Sequence, residues 1–177
     1  MSDVTLRAAT SLDAAIIVAH RRAMFAEMRD LPGEQLDQLD AAFGPWVAAR
    51  IERGEYHGWF AVEPAGQVVG GAGVWLMDWP PHMWHVAPHR ANILNVYVRP
   101  DFRRRGLARR LTQAALDWCR QAGVQMVVLH ASDAGRPIYA ALGFTPTNEM
   151  SLLLDPSGPA APANAEPRRQ IHVGPRS

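Results

Sequence analysis

Three consecutive arginines and a glycine, at positions 103–106, are the residues whose types and spacing point most directly to chemistry. They follow an apolar, β-branched run at 93–98, which is typical of a buried strand, and a helical pattern begins directly after them. N–H groups at a helix start lack partners, and the helix dipole adds about half a positive charge there. Arginine donates paired hydrogen bonds to phosphate oxygens, and Gly106 lets the main chain approach a ligand. The pattern predicts a phosphate-binding turn; the alternatives are a solvated basic face or a nucleic-acid contact.

Three histidines, His82, His85 and His89, lie in a loop at 78–90 that is rich in tryptophan, histidine and proline. Their spacing suggests a metal site, but no cysteine is near and no helix holds them in place, so no metal is predicted. The other interpretation concerns the large apolar side chains of this loop, which need a partner. They would line an acceptor pocket or a subunit contact; these residues are Trp79, Met83 and Trp84.

The glycines at 70, 71 and 73 invite a dinucleotide-binding interpretation, which the surrounding residues do not support. The G-x-G-x-x-G pattern would need glycine where Leu76 stands, and a helix should follow it. Glycines at which a strand bends or packs tightly are the better interpretation. The single cysteine, Cys119, excludes an internal disulfide and a thiolate-rich metal site, and it is expected to be a small packed side chain.

The first half of the chain predicts one short strand, two helices and a hairpin. The predicted bounds are 4–7 for the strand, 12–29 and 35–53 for the helices, and 59–63 and 68–77 for the hairpin strands. Thr10 and Ser11 offer an N-cap for the first helix, and Pro45 predicts a kink or two shorter helices in the second. The apolar stripes would be Leu12, Ile16, Ala19, Ala23 and Met24 on the first helix, and Leu36, Leu39, Phe43, Val47 and Ile51 on the second.

The second half is organised around the strand at 93–98, which Pro100 and Asp101 end. An amphipathic helix at 107–122 follows, and then an apolar strand at 126–130. A strand–helix–strand order makes the two strands parallel. A short helix and a last strand complete the prediction, at 136–142 and 150–154.

Two segments carry a resemblance to a known family. Arg103-x-x-Gly106-x-Ala108 resembles the R/Q-x-x-G-x-G/A signature of the GCN5-related N-acetyltransferases, whose loop holds the pyrophosphate of acetyl-coenzyme A. The segment at 138–144, Ile-Tyr-Ala-Ala-Leu-Gly-Phe, resembles the L-Y-x-x-L-G-F segment that closes the same fold. The resemblance spans roughly residues 4–154. It implies an α/β fold with a mixed, mostly antiparallel sheet of six to seven strands, a central splayed parallel pair and about four flanking helices.

The resemblance also implies a cofactor site. The pantetheine arm would pair with the central strand, where a main-chain N–H near Val96 would polarise the thioester carbonyl. Ser132 falls where many family members have an asparagine that contacts this arm. Tyr139 matches the family tyrosine near the cofactor sulfur; its phenol, with a reference pKa of about 10, would protonate a thiolate of pKa about 8.5 or hydrogen-bond to it. The implied cofactor-binding residues are Val96, Tyr97, Val98, Arg103, Arg104, Arg105, Gly106, Leu107, Ala108, Arg109, Ser132 and Tyr139, with Tyr139 also catalytic.

The function that follows from the resemblance is transfer of an acetyl group from acetyl-CoA to a primary amine of a small molecule or peptide, by direct attack in a ternary complex. The alternative is a non-catalytic acyl-CoA-binding sensor. The general base is left open between a water chain and four side chains, namely Glu149, His130, His85 and Asp133.

Composition limits the remaining possibilities. A chain of 177 residues, 48% apolar and 20% charged, suits one soluble domain, which is predicted at 4–155 with a Pro/Ala-rich tail at 156–177. A formal net charge of +1 offers no general attraction to nucleic acid. No signal-like or membrane-spanning apolar run is present. We therefore expect a cytoplasmic protein without a nucleic-acid or membrane partner, and a homodimer is compatible with the resemblance.

Overall fold

The computed structural model describes residues 4–28, 31–152 and 154, and the predicted tail at 156–177 lies outside them. The five strands are Thr5–Ala8 (β1), Tyr56–Val62 (β2), Val68–Asp78 (β3), His89–Val98 (β4) and Val127–Leu129 (β5). The four α-helices are Ala14–Met28 (α1), Gly33–Glu52 (α2), Leu107–Gln121 (α3) and Arg136–Ala140 (α4), with short 3-10 turns at Ser11–Asp13 and Pro100–Phe102. The chain divides after Phe144 into two units, and all of these elements lie in the first.

The strands form one mixed sheet in the order β1-β2-β3-β4-β5. Neighbours from β1 to β4 are antiparallel, and β4 and β5 are parallel, as the strand–helix–strand order predicts. The expectation of six to seven strands is wrong for the described chain, which has five. The predicted strand at 150–154 is absent from its described residues, and Met150 and Leu152 are exposed. Apolar residues alone do not make a strand, because its main-chain groups also need a neighbouring strand.

The central strand β4 contains a bulge that the sequence does not reveal. Gly71 pairs with Tyr97 and Gly73 pairs with Leu94, so β4 carries one more residue than β3 between these two pairs. Asn95 lies in this interval with a φ of 56°, in the left-handed region that few non-glycine residues adopt. The bulge lies just beyond the point where the pairing with β5 ends, since that ladder covers only Ala91 to Ile93 on β4.

Helices cover both faces of the sheet. On one face, β4 residues Ala91 and Ile93 pack with Ala115 and Cys119 of α3. On the other face, Phe60 and Tyr56 of β2 pack with α1 and α2. This division follows from the strand period of two, which sends successive side chains to opposite faces. Cys119 is buried, and burial raises the pKa of its thiol to about 11, as expected for a packed side chain.

The two N-terminal helices differ in how well their buried faces were predicted. In α2 the predicted stripe is confirmed, since Leu36 and Val47 are buried, and Pro45 lies inside one continuous helix rather than between two. In α1 the predicted stripe is right only in part: Ile16 packs against the core beside the buried Ile17, whereas Leu12 lies in the preceding turn and is 92% exposed. Apolar residues occur all around α1, so its sequence periodicity carries little information about the buried side.

Candidate active site

The turn before α3 has the main-chain geometry of an anion site. Arg104 and Gly106 have φ values of 59° and 75°, and Gly106 is the N-cap of α3. The first helical hydrogen bond runs from the Arg110 N–H to the Gly106 carbonyl. Among the described residues, none accepts a hydrogen bond from the main-chain N–H groups of 104–109. Successive free N–H groups in such a turn form a concave binding site for phosphate oxygens.

The arginines of the turn have different roles. Arg103 donates from Nε to the Val98 carbonyl at 2.8 Å and pairs with Glu27, so it joins α1 to the end of β4. Arg105 donates to the Asp101 carbonyl at 2.9 Å. Arg104 and Arg109 form no side-chain hydrogen bond or ion pair with any described residue. Of the predicted phosphate-binding arginines, these two are therefore available to a ligand, whereas the other two shape the turn.

The remaining predicted residues of the turn contribute through the main chain. Leu107 is buried in the core on the α3 side, and Ala108 packs against the same core. Gly106 has no atom within 4 Å of the position a Cβ would take, so space is open beside it.

One edge of β4 is unpaired in the part of the chain that the structure describes. Tyr97 and Val98 pair with Gly71 and Gly70 on the β3 side, while the β5 ladder ends at Ile93. The main chain of residues 94–98 therefore has no strand neighbour on its other side. An extended chain with amide groups can pair with such an edge in the manner of an added strand.

Tyr139 lies on α4, and its ring packs edge-on against Phe144, with centroids 6.1 Å apart. Burial raises the pKa of Tyr139 above its ordinary value, so the phenol is protonated at neutral pH. No described residue accepts a hydrogen bond from its hydroxyl. Ser132 is partly engaged, because its Oγ accepts a hydrogen bond from the Gly135 N–H at 3.2 Å in the turn that precedes α4.

Three of the four side chains proposed as a general base belong to the first unit. His85 is buried in the loop after β3, with Nδ1 unpartnered, while His130 and Asp133 are exposed. None of these three forms a hydrogen bond with Tyr139 or Ser132 within the described chain. Glu149 belongs to the second unit.

A buried polar network beside the β4 bulge was not predicted. Arg21 of α1 donates from Nη1 to Asn95 Oδ1 at 2.8 Å, and Asn95 Nδ2 donates to the Tyr56 hydroxyl at 3.1 Å. Asn95 and Tyr56 are both at most 5% exposed, and burial raises the pKa of Tyr56 to about 12. The sequence signal was weak: Arg21 lies one helical turn after the buried Ile17, which places it on the same face.

His20 lies next to this network. Its ring is 5.1 Å from the Tyr97 ring and 5.8 Å from the Phe60 ring, measured between centroids. Burial lowers the pKa of His20 to about 4, so the imidazole is neutral at physiological pH. A small cleft next to the bulge is lined by Ile17, His20, Tyr56, Gly58, Phe60, Gly71, Ala72 and Asn95.

The loop after β3 is held by Gln125, whose side-chain oxygen accepts hydrogen bonds from the Val86 and Ala87 N–H groups. Met83 and Trp84 of this loop are exposed. Within residues 4–28, 31–152 and 154, no three histidine, cysteine or acidic side chains are placed to hold a metal ion. The helices of these residues include none that is long and apolar enough to cross a membrane.

Comparison with known proteins identifies the family. Residues 21–144 match the model described as the acetyltransferase (GNAT) family. A crystal structure of a GCN5-related N-acetyltransferase from Ralstonia eutropha JMP134 is 34% identical with a TM-score of 0.80, over 86% of this chain and 99% of that one. A predicted acetyltransferase from Clostridium acetobutylicum, solved with acetyl-CoA, has a TM-score of 0.77 at 23% identity, over 85% of this chain and 96% of that one, and so shows the fold alone.

A curated relative, N-alpha-acetyltransferase RimI of Mycobacterium tuberculosis, is 27% identical over 110 residues, which are 60% of this chain and 66% of RimI. The chain spans less than two thirds of the length of the curated relatives that it matches. The family match itself covers more than half of the chain and includes the arginine turn at 103–106, the strand β4 with its bulge, and α4, which carries Tyr139. The chain therefore belongs to the acetyltransferase (GNAT) family.

Proposed function

We propose that this protein is an N-acetyltransferase that moves an acetyl group from acetyl-CoA to a primary amine of a small molecule or peptide. The observation that carries the proposal is the run of main-chain N–H groups at 104–109 that have no acceptor among the described residues. This run follows the strand β4, one edge of which has no strand neighbour in the described chain. Membership of the family supports it, as does the name of the relative RimI, an N-alpha-acetyltransferase.

The residues of the turn suit a coenzyme A diphosphate. Free N–H groups would bind its oxygens, and Arg104 and Arg109 would add charge-assisted hydrogen bonds. The absence of a Cβ at Gly106 leaves room for close approach. The unpaired edge at Val96 to Val98 would bind the amide groups of the pantetheine arm. When bound, acetyl-CoA supplies the acetyl thioester that the amine attacks directly.

The chain's own groups have distinct roles in this proposal. A main-chain N–H near Val96 would stabilise charge on the carbonyl oxygen, and the β4 bulge supports this because it frees strand groups from regular pairing. Tyr139 holds a proton on a hydroxyl from which no described residue accepts a hydrogen bond. Since burial raises its pKa, we assign it a hydrogen bond to the leaving sulfur rather than complete proton transfer.

The proposal is tested by thiol release from acetyl-CoA over a panel of amines containing amino acids, polyamines, aminoglycosides and short peptides. We expect turnover with at least one amine. Tyr139→Phe should lower kcat by about tenfold to a hundredfold, with less than about a twofold change in the Kd of coenzyme A, since its ring is retained. An unchanged melting temperature would show that the variant is folded.

Two outcomes would reject the proposal in different ways. Coenzyme A binding without turnover on any amine would favour the acyl-CoA-binding sensor. No heat of binding with coenzyme A in calorimetry would reject the donor site itself.

A further inference from the structure

Arg21 is a partly buried cation with no acidic partner among the described residues. Its guanidinium lies over the rings of Phe25 and Phe43, at 4.6 Å and 4.5 Å from their centroids. Its one hydrogen bond to a described residue goes to the Asn95 side chain. The next residue, Arg22, differs sharply, because it pairs with both Asp37 and Asp40.

Such an arrangement leaves a charge incompletely compensated. A guanidinium has five N–H donors in a planar fork, and withdrawing it from water is unfavourable unless those donors and the charge are matched. The two aromatic faces and the one amide oxygen compensate the charge and the N–H donors of Arg21 only in part. Burial accordingly lowers the pKa of Arg21 below its ordinary value. None of its other nitrogens is enclosed without a partner, so the free donors remain accessible. An anion that reaches these donors would accept their hydrogen bonds and neutralise the charge of Arg21.

The fold holds this guanidinium in a fixed position. Asn95 can donate to Tyr56 only through Nδ2, which turns Oδ1 toward Arg21; the reverse orientation would set two donors against each other. Tyr56 in turn is packed against Gly73, where a Cβ would overlap its ring. Asn95 is the bulge residue of β4, next to the edge at Val96 to Val98 to which the proposed function assigns the thioester arm.

We propose that Arg21 binds an acidic group of the acceptor, a carboxylate or a phosphate, so that preferred acceptors carry an amine and an anionic group in one molecule. Asn95 and Tyr56 are positioning residues for it. This inference rests on the proposed acetyltransferase function and deepens it by naming the acceptor class.

The test compares acceptors that differ only in the acidic group. Glycylglycine against glycylglycine amide tests a carboxylate, and glucosamine 6-phosphate against glucosamine tests a phosphate. From thiol-release kinetics, we expect the acidic member of at least one pair to have a kcat/KM about tenfold higher or more. Arg21→Gln should remove that preference, because it should lower kcat/KM about tenfold more for the acidic acceptor than for its neutral partner, with the Kd of coenzyme A within about twofold.

Two further variants separate direct contact from other effects. Arg22→Gln makes the same charge change one position along α1, and it should keep the preference for the acidic acceptor. Arg21→Lys keeps the charge but loses the planar fork, so it should retain a reduced preference. It also provides the comparison if Arg21→Gln does not fold.

Equal kcat/KM values for both members of each pair in the parent protein would overturn the inference while leaving the acetyltransferase function intact. The same holds if Arg21→Gln lowers kcat/KM equally for the acidic and the neutral acceptor, since this would show that the role of Arg21 is purely structural.

If no amine is acetylated, the proposed function fails, and Arg21 is then tested by ligand binding. N-acetylglycine and N-acetylglucosamine 6-phosphate are added to the coenzyme A-loaded protein; no rise in melting temperature, or an equal rise in Arg21→Gln, overturns the inference.

Discussion

At the scale of single residues, the same side chain serves different purposes according to its partners. Arg103 joins two elements through the Val98 carbonyl and Glu27, whereas Arg104 and Arg109 have no partner among the described residues. Arg21 is stacked and only partly compensated. Residue type alone therefore predicts a basic turn, while partners decide which arginine is available to a ligand.

This division predicts different results for substitutions in the turn. Arg104→Gln and Arg109→Gln should each weaken coenzyme A binding by about tenfold, since each removes a charge-assisted hydrogen bond to phosphate. Arg103→Gln should mainly lower the melting temperature, because it loses the contacts that join α1 to β4. Calorimetry and thermal unfolding measure both effects. A large loss of affinity in Arg103→Gln at an unchanged melting temperature would contradict the division.

Asp13 provides a residue-scale prediction about stability. Its carboxylate accepts hydrogen bonds from both Nη atoms of Arg7 at 2.8 Å and from the Thr10 N–H at 2.7 Å. These hydrogen bonds hold the pKa of Asp13 well below its usual range, and those from Arg7 have the largest effect. A depressed folded-state pKa adds stability above the unfolded value of about 3.9, and this stability is lost as pH falls below it.

Asp13→Asn should therefore lower the free energy of unfolding by about 2 kcal/mol at pH 7, and by less at pH 3, where protonation of Asp13 in the unfolded parent has already removed part of this stabilisation. Urea unfolding at the two pH values measures this. Asp117→Asn, which alters an exposed ion pair with Arg120, is the control and should change little. An equal loss at both pH values in Asp13→Asn would show that ionisation is not the cause.

At the scale of elements, the bulge in β4 and the glycine-rich stretch of β3 belong together. Gly73 lies where a side chain would occupy the space of the Tyr56 ring, and Tyr56 supports the bulge residue Asn95. Gly73 thus permits close packing of the Tyr56 ring against β3. Tight packing against a strand is one of the two roles that the sequence predicts for these glycines.

Gly73→Ala should destabilise the protein by about 3 kcal/mol, because the new methyl would overlap the ring of the buried Tyr56, whose hydroxyl is held by a hydrogen bond from Asn95. Gly33→Ala is the control: a Cβ at this first residue of α2 would meet nothing within 4 Å, and its φ is not positive, so stability should rise by about 0.4–1 kcal/mol. Urea unfolding compares the two. Equal stabilities would show that Tyr56 is not held against the strand.

At the scale of the whole molecule, binding at the turn should be visible in global stability, because a ligand that binds only the folded state shifts the unfolding equilibrium. Coenzyme A at about one hundred times its Kd should add about 2.7 kcal/mol. For a chain of this size that raises the melting temperature by about 5–10 °C.

Gly106→Glu should abolish this rise, since its φ of 75° disfavours a side chain and the carboxylate would repel a diphosphate. Gly66→Glu is the matched control, because Gly66 has a φ of 85° in the turn between β2 and β3, with open space around it. It should lower the intrinsic melting temperature but keep the shift caused by coenzyme A. Loss of the shift in both variants would mean that it does not report on the turn.

Much of the fold could be predicted from the sequence because the relevant signals are local. The strand, the arginine turn, Gly106 and α3 are consecutive, and a strand–helix–strand order makes the parallel pair nearly unavoidable. Tyr139 and its helix were likewise recognisable from a short segment. The number of strands could not be predicted, because an apolar run such as 150–154 does not reveal whether a neighbouring strand exists to pair with it.

Tertiary structure alone decided the partners of the residues to which we assign the acceptor. Arg21 and Asn95 are 74 residues apart in the chain, and Asn95 and Tyr56 are 39 apart. No periodicity marks Tyr56 as the group that orients an amide, or Asn95 as the bulge residue with a left-handed main chain. Local sequence determines which main-chain groups are left free at a helix start, whereas the partner of a side chain depends on which distant elements pack against it.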